Sequence, residues 1–149
     1  MKILMMMAFL SVSLGAAMAQ QPPIKMGLWE KNMTMNSSAL GSRTIKSRSC
    51  ITPAEWQELV GNVNKQQTPG CSIQVNKTAK GYSFNGTCEN GQMVLSGSST
   101  ITDAEHIVAE SHSTTTRNGQ KRQNDTHSTS RWISADCGKI KPGDPEVEN

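Results

Sequence analysis

The sequence predicts a mainly β domain: an antiparallel meander curled into an open barrel or half-barrel, with one short helix and two disulfides. A β-sandwich is the alternative. Three observations predict it. Apolar residues alternate with polar ones in run after run, the period-two pattern of half-buried strands. Asn-Gly pairs at 90–91 and 118–119 fall between those runs, and Asn-Gly is the dipeptide that best tolerates the two positive φ angles of a type I′ hairpin. Two of the four cysteines come into register together with the apolar face of a hairpin.

The first nineteen residues read as an export signal. Lys2 is the positive start, Ile3–Leu14 is an almost unbroken apolar run, and Ala17-Met18-Ala19 offers small residues at the cut site before Gln20. That order of charge, apolar segment and small residues is a secretory signal. The run is short for a membrane span and no basic stop-transfer cluster follows it, so no transmembrane anchor is expected after cleavage. The expected organisation is a signal peptide at 1–19, a single β domain at 20–137 and a disordered tail at 138–149. The expected location is the bacterial periplasm or the secreted fraction.

Beyond Ala19 only 19 of 130 residues are Leu, Ile, Val or Phe. A core that thin is usual in disordered chains, but those also carry high net charge. Here the whole chain has a formal charge of +3. The balance argues against a two-domain enzyme, a strongly basic nucleic-acid binder and a multi-span membrane protein. Crosslinks are the remaining way to hold a small polar domain.

The elements follow in order. Gln20–Lys25, with Pro22-Pro23, is an extended lead-in. Gly27–Asn36 alternates, with Trp29, Met33 and Met35 on one face, and reads as the first strand. Ser42–Ile51 is the second. Thr52-Pro53-Ala54-Glu55 is a capping box with proline at the first helical position, so a helix of about two turns should run to Gly61. Cys71, Ile73 and Val75 then alternate, as do Tyr82, Phe84, Gly86 and Cys88. A tight turn at Ala79-Lys80 sets Val75 opposite Phe84, Ile73 opposite Gly86 and Cys71 opposite Cys88. The turn at Glu89–Gln92 places Cys88 beside Met93, Gly86 beside Leu95 and Phe84 over Gly97. His106–Thr116 and Gln120–Ile133 form a Ser/Thr-rich hairpin through Arg117–Gln120. It sets Ile107 near Ser130 and Ala109 near Ser128 on an inward face.

Four cysteines permit three pairings. The strand register favours Cys71–Cys88, which leaves Cys50–Cys137 to pin the distal end to the second strand. No CxxC occurs, which counts against a thioredoxin-like motif or a zinc ribbon.

Met26-Gly27-Leu28-Trp29-Glu30, Cys50-Ile51-Thr52-Pro53, and then Cys71, Cys88 and Cys137 resemble a bacterial exported family catalogued as domain of unknown function 3617. The resemblance implies envelope location and a compact disulfide-bonded β domain, and it implies no catalytic residues. Gly27-Leu28-Trp29 is also similar to the G-x-W of lipocalin-type barrels, over three residues.

Two candidate sites follow from the register. The outward face of the distal hairpin gathers all three histidines: His106, Glu110 and His112 face Arg131, His127 and Asp125. Imidazoles and carboxylates suit zinc, copper or nickel, and the ligands would be His112, His127, Glu110 and Asp125. The competing reading is a solvated face whose charges pair across strands. Trp29, Met33, Met35, Phe84 and Met93 could instead line a pocket for a small apolar or amphipathic ligand, or be nearly all the core there is. No cofactor is expected apart from such a metal.

No G-x-S-x-G elbow, P-loop or G-x-G-x-x-G occurs, so the expectation is a non-enzymatic protein. Arg43, Lys46 and Arg48, with Lys121 and Arg122, are local basic spots suited to anionic lipid or polysaccharide. They form no funnel for nucleic acid. The expected function is an exported binding module for a small apolar or amphipathic ligand. The alternatives are a metal-binding module on the distal hairpin, or a structural or interaction protein without a ligand; the expected partner is a small ligand or an envelope component.

Overall fold

The computed structural model describes residues 23–62 and 69–148; the expected signal at 1–19 lies outside them. Eight strands form one antiparallel sheet: β1 (Gly27–Ser37), β2 (Gly41–Ile51), β3 (Cys71–Thr78), β4 (Gly81–Cys88), β5 (Met93–Asp103), β6 (His106–Arg117), β7 (Gln120–Ser134) and β8 (Glu146–Glu148). Their spatial order is β3-β4-β5-β6-β7-β1-β2-β8. Among the described residues all strands lie in one sheet, which excludes the sandwich there, and β3 and β8 are its edges, so the barrel does not close.

Consecutive hairpins explain most of this order, because tight turns keep neighbours in sequence adjacent in space. The β6–β7 turn has Asn118 and Gly119 at φ 51° and 77°, as a type I′ turn requires. The β4–β5 turn carries a third positive φ, at Glu89 (51°), whose N–H donates to the Gly70 carbonyl at 2.9 Å. Its register nevertheless matches the sequence expectation: Cys88 with Met93, Gly86 with Leu95 and Phe84 with Gly97. The β3–β4 pairs agree as well, from Cys71 with Cys88 to Val75 with Phe84. The long-range step is β1 against β7, where Trp29 meets Trp132 and Met33 meets Ser128.

One short helix, α1 (Pro53–Asn62), follows β2. The Glu55 N–H donates to the Thr52 hydroxyl at 3.3 Å, the N-terminal half of the expected capping box. No helix among the described residues is long and apolar enough to cross a membrane.

Both disulfides are present, Cys71–Cys88 and Cys50–Cys137, with Cα separations of 4.0 Å and 5.4 Å. They fit a chain that matures in an oxidising environment. Among the described residues the buried apolar side chains are few: Ile24, Trp29, Cys50 and Cys88. Most of that core sits at one end of the sheet. There the indole N–H of Trp29 donates to the Lys25 carbonyl at 2.9 Å, and that of Trp132 to Met26 at 3.0 Å. Lys25 also lies 4.5 Å from the Trp132 ring centroid and bonds Glu105. Gly27 is forced by this crossing: at φ 127° a Cβ would overlap the Ser134 carbonyl oxygen, beside the bulge at Leu28/Trp29.

The tail differs from the expected disorder. Glu146–Glu148 pairs with Lys46–Arg48 as strand β8, and Pro142 bridges Cys50. The physical reason is the crosslink: Cys137 is tied to β2, so the following residues start beside that strand's open edge. Glu146 and Glu148 then meet Arg48 and Lys46.

Candidate ligand-binding face

Strand pairing places the predicted apolar residues on one face. Reading across the sheet, one row runs Met35, Thr126, Ser111, Gly97, Phe84. The neighbouring row on the same face runs Met33, Ser128, Ala109, Ser99, Tyr82. Methionines thus stand at one side and aromatic rings at the other. A floor of small residues separates them by four strand spacings, roughly 19 Å. Trp29 closes the buried end at 2% exposure, whereas Met33, Met35, Phe84 and Met93 are only half-buried. Of the five predicted residues, Trp29 belongs to the core and the other four line an open surface.

Gly97 is needed within that floor. A Cβ there would fall 2.6 Å from the Phe84 ring and 2.5 Å from the Glu110 carbonyl oxygen. The ring occupies the space that a side chain would take, as the pairing of an aromatic residue over glycine predicts. Tyr82 lies beside it, with ring centroids 6.5 Å apart, so the aromatic wall is two rings long.

The opposite face carries the histidines, in the expected register: His106 with Arg131, Glu110 with His127 and His112 with Asp125. Their side chains pair two by two. His112 Nδ1 lies 2.6 Å from Asp125 and its Nε2 lies 3.2 Å from the Thr114 hydroxyl. His127 Nδ1 lies 3.5 Å from Glu110, and His106 Nδ1 lies 2.9 Å from Asp103. A polar trough of about 570 Å³ runs between these rows, lined by Ser96, Ser98, Glu110, His112, Asp125 and His127 among others. Among the described residues no three His, Cys, Asp or Glu side chains converge as a metal site. Both ring nitrogens of His112 are already engaged, so the expected set of His112, His127, Glu110 and Asp125 is divided into separate pairs.

One charged site went unforeseen. Glu30 alternates with Trp29 and so points to the histidine face, yet it is only 3% exposed. Arg131 donates to its Oε1 through Nε at 3.1 Å and a terminal nitrogen at 2.8 Å. Arg48 stands at 3.4 Å and Lys46 at 3.5 Å from its Oε2. The Arg131 hydrogen bonds hold the Glu30 carboxyl below its ordinary value, against the opposing push of burial. The sequence signal was the run of Arg43, Lys46 and Arg48 facing the first strand, but Arg131 is 101 residues from Glu30 and no local pattern joins them.

These features define a class: a small, doubly crosslinked β domain made of a single open sheet, with a half-buried apolar face and a charged one. The chain belongs to the family described as protein of unknown function (DUF3617), whose model matches residues 24–137. Among solved structures it is similar to the S-type phycobiliprotein lyase CPES from Guillardia theta, at 9% identity and a TM-score of 0.40, over 73% of this chain and 89% of that one. No curated protein sequence matches it.

Proposed function

We propose that this protein is an exported, non-enzymatic binding module of the bacterial envelope, periplasmic or secreted, which takes up a small apolar or amphipathic ligand on the Trp29 face of its sheet. One observation carries the reading: Met33 and Met35 stand across a floor of Ser, Thr, Ala and Gly from Tyr82 and Phe84, and they stay half-exposed where, among the described residues, few apolar side chains are buried. A core would bury those side chains, whereas a binding surface leaves them open. Flexible methionines adapt to ligands of varied shape, and the hydroxyls between them suit the polar part of an amphiphile. All four cysteines are in disulfides and so offer no thiol nucleophile, which favours binding over catalysis.

The test is native mass spectrometry of the disulfide-intact protein, purified without denaturant from the periplasm of an exporting host. The expected spectrum shows a co-purified organic mass that is lost in Met35→Glu and in Phe84→Glu. The bare polypeptide mass, or a metal adduct insensitive to both substitutions, would refute the proposal.

A further inference from the structure

The outer edge of β2 is only partly covered. β2 spans Gly41–Ile51, yet β8 pairs with Lys46–Arg48 alone and Pro142 touches Cys50. Among the described residues, no strand lies on that side of Gly41–Ile45. An exposed edge of this kind offers a row of backbone donors and acceptors to any extended chain.

Its charge selects the chain that fits. Lys46 and Arg48 project on one face, where with Arg131 they surround the buried carboxylate of Glu30. Three cations on one carboxylate leave two positive charges unmatched. The tail supplies a partner: the Glu148 carboxylate stands 3.4 Å from Arg48 and 3.7 Å from Lys46, and Glu146 lies opposite Arg48 in the register. Its hold is shallow. All three β8 residues are exposed, Val147 by 53%, and ion pairs between exposed side chains contribute little. The disulfide at Cys137 anchors the base of the tail, so residues 143–148 can leave without disturbing the sheet.

We propose that the β2 edge is a docking site for an extended acidic segment of a partner protein, and that Glu146–Glu148 occupies it in cis until that segment displaces it. The partner strand alternates Glu or Asp with apolar residues. Its acids meet Lys46 and Arg48, and its apolar side chains lie on the other face, next to Ser47 and Ile45. This site is independent of the ligand-binding reading above.

The test uses the full-length, disulfide-intact chain and a fluorescein-labelled peptide with the sequence of residues 143–148, followed by fluorescence anisotropy at low salt. Glu146→Lys with Glu148→Lys repels the tail from the edge, and this variant is expected to bind the peptide about tenfold more tightly than the unmodified chain, because the tethered competitor is gone. Adding Lys46→Gln and Arg48→Gln is expected to abolish that binding, and salt to weaken it. Circular dichroism confirms that each variant is folded. Equal affinity of the tail variant and the unmodified chain would overturn the proposal. So would self-association of the tail variant in sedimentation without peptide binding, which would assign the edge to a second copy.

Discussion

Glu30 offers the sharpest energetic test, because one partner is buried and the others are not. Its carboxylate is 3% exposed, while the Arg131 side chain retains 60% of its exposure and those of Arg48 and Lys46 about 40%. Removing Arg131 (Arg131→Met) takes both hydrogen bonds from Oε1 and leaves a buried charge held only through Oε2, by Arg48 and Lys46. Removing the charge of Glu30 (Glu30→Gln) leaves three cations that can rehydrate. Hydrogen bonds to a charged group are each worth about 1.5–3 kcal/mol, and the half-exposed guanidinium discounts this to about 2 kcal/mol for the pair. Arg131→Met should therefore cost about 2–3 kcal/mol and Glu30→Gln about 1–2 kcal/mol, with a coupling near 2 kcal/mol in the double-variant cycle. In urea unfolding at neutral pH with disulfides intact, 2 kcal/mol shifts the midpoint by about 1 M. The pH profile gives an independent check. Glu30 is held below its ordinary value of 4.5, so its contribution is complete above that pH and is lost as pH falls through the lower folded value. Glu30→Gln should flatten the acid limb of the profile. Additive single variants, or Glu30→Gln as the costlier change, would refute the reasoning.

Gly97→Ala should lower stability by about 1–3 kcal/mol, read by thermal unfolding, since its Cβ meets both the Phe84 ring and the Glu110 carbonyl. Pairing this change with Phe84→Leu should recover part of the loss by opening the space. His112→Ala with His127→Ala should change stability by less than about 1 kcal/mol, because both histidine–carboxylate contacts are solvent-exposed; a larger loss in the same melts would show that the histidine face is structural.

Much of the fold was legible where the chain's signals are local. Asn118-Gly119 set the β6–β7 register, and the alternation around Cys71 and Cys88 fixed β3 against β4 to the residue. The same registers carried the apolar face, so Met35 and Phe84 could be placed on it from sequence. What stayed hidden was non-local. Nothing near Gly27 announces that β1 will lie beside β7, and without that pairing Glu30 reads as an ordinary outward residue. The tail read as disordered because its prolines and acids lack any apolar pattern; its order comes from the crosslink at Cys137 and the cations of β2. The β6–β7 register sets the three histidines on one face, but side-chain pairing within that face depends on rotamers that a register does not specify.

In this domain the crosslinks do what a core usually does, and equilibrium unfolding of matched cysteine variants measures this most directly. The Cys50–Cys137 and Cys71–Cys88 loops span 87 and 17 residues, for which chain entropy gives about 4.6 and 3.1 kcal/mol. The predicted result is that Cys50→Ser with Cys137→Ser costs more than Cys71→Ser with Cys88→Ser, and that the fully reduced chain shows no cooperative transition. A reduced chain that still unfolds cooperatively, within about 2 kcal/mol of the oxidised one, would contradict it.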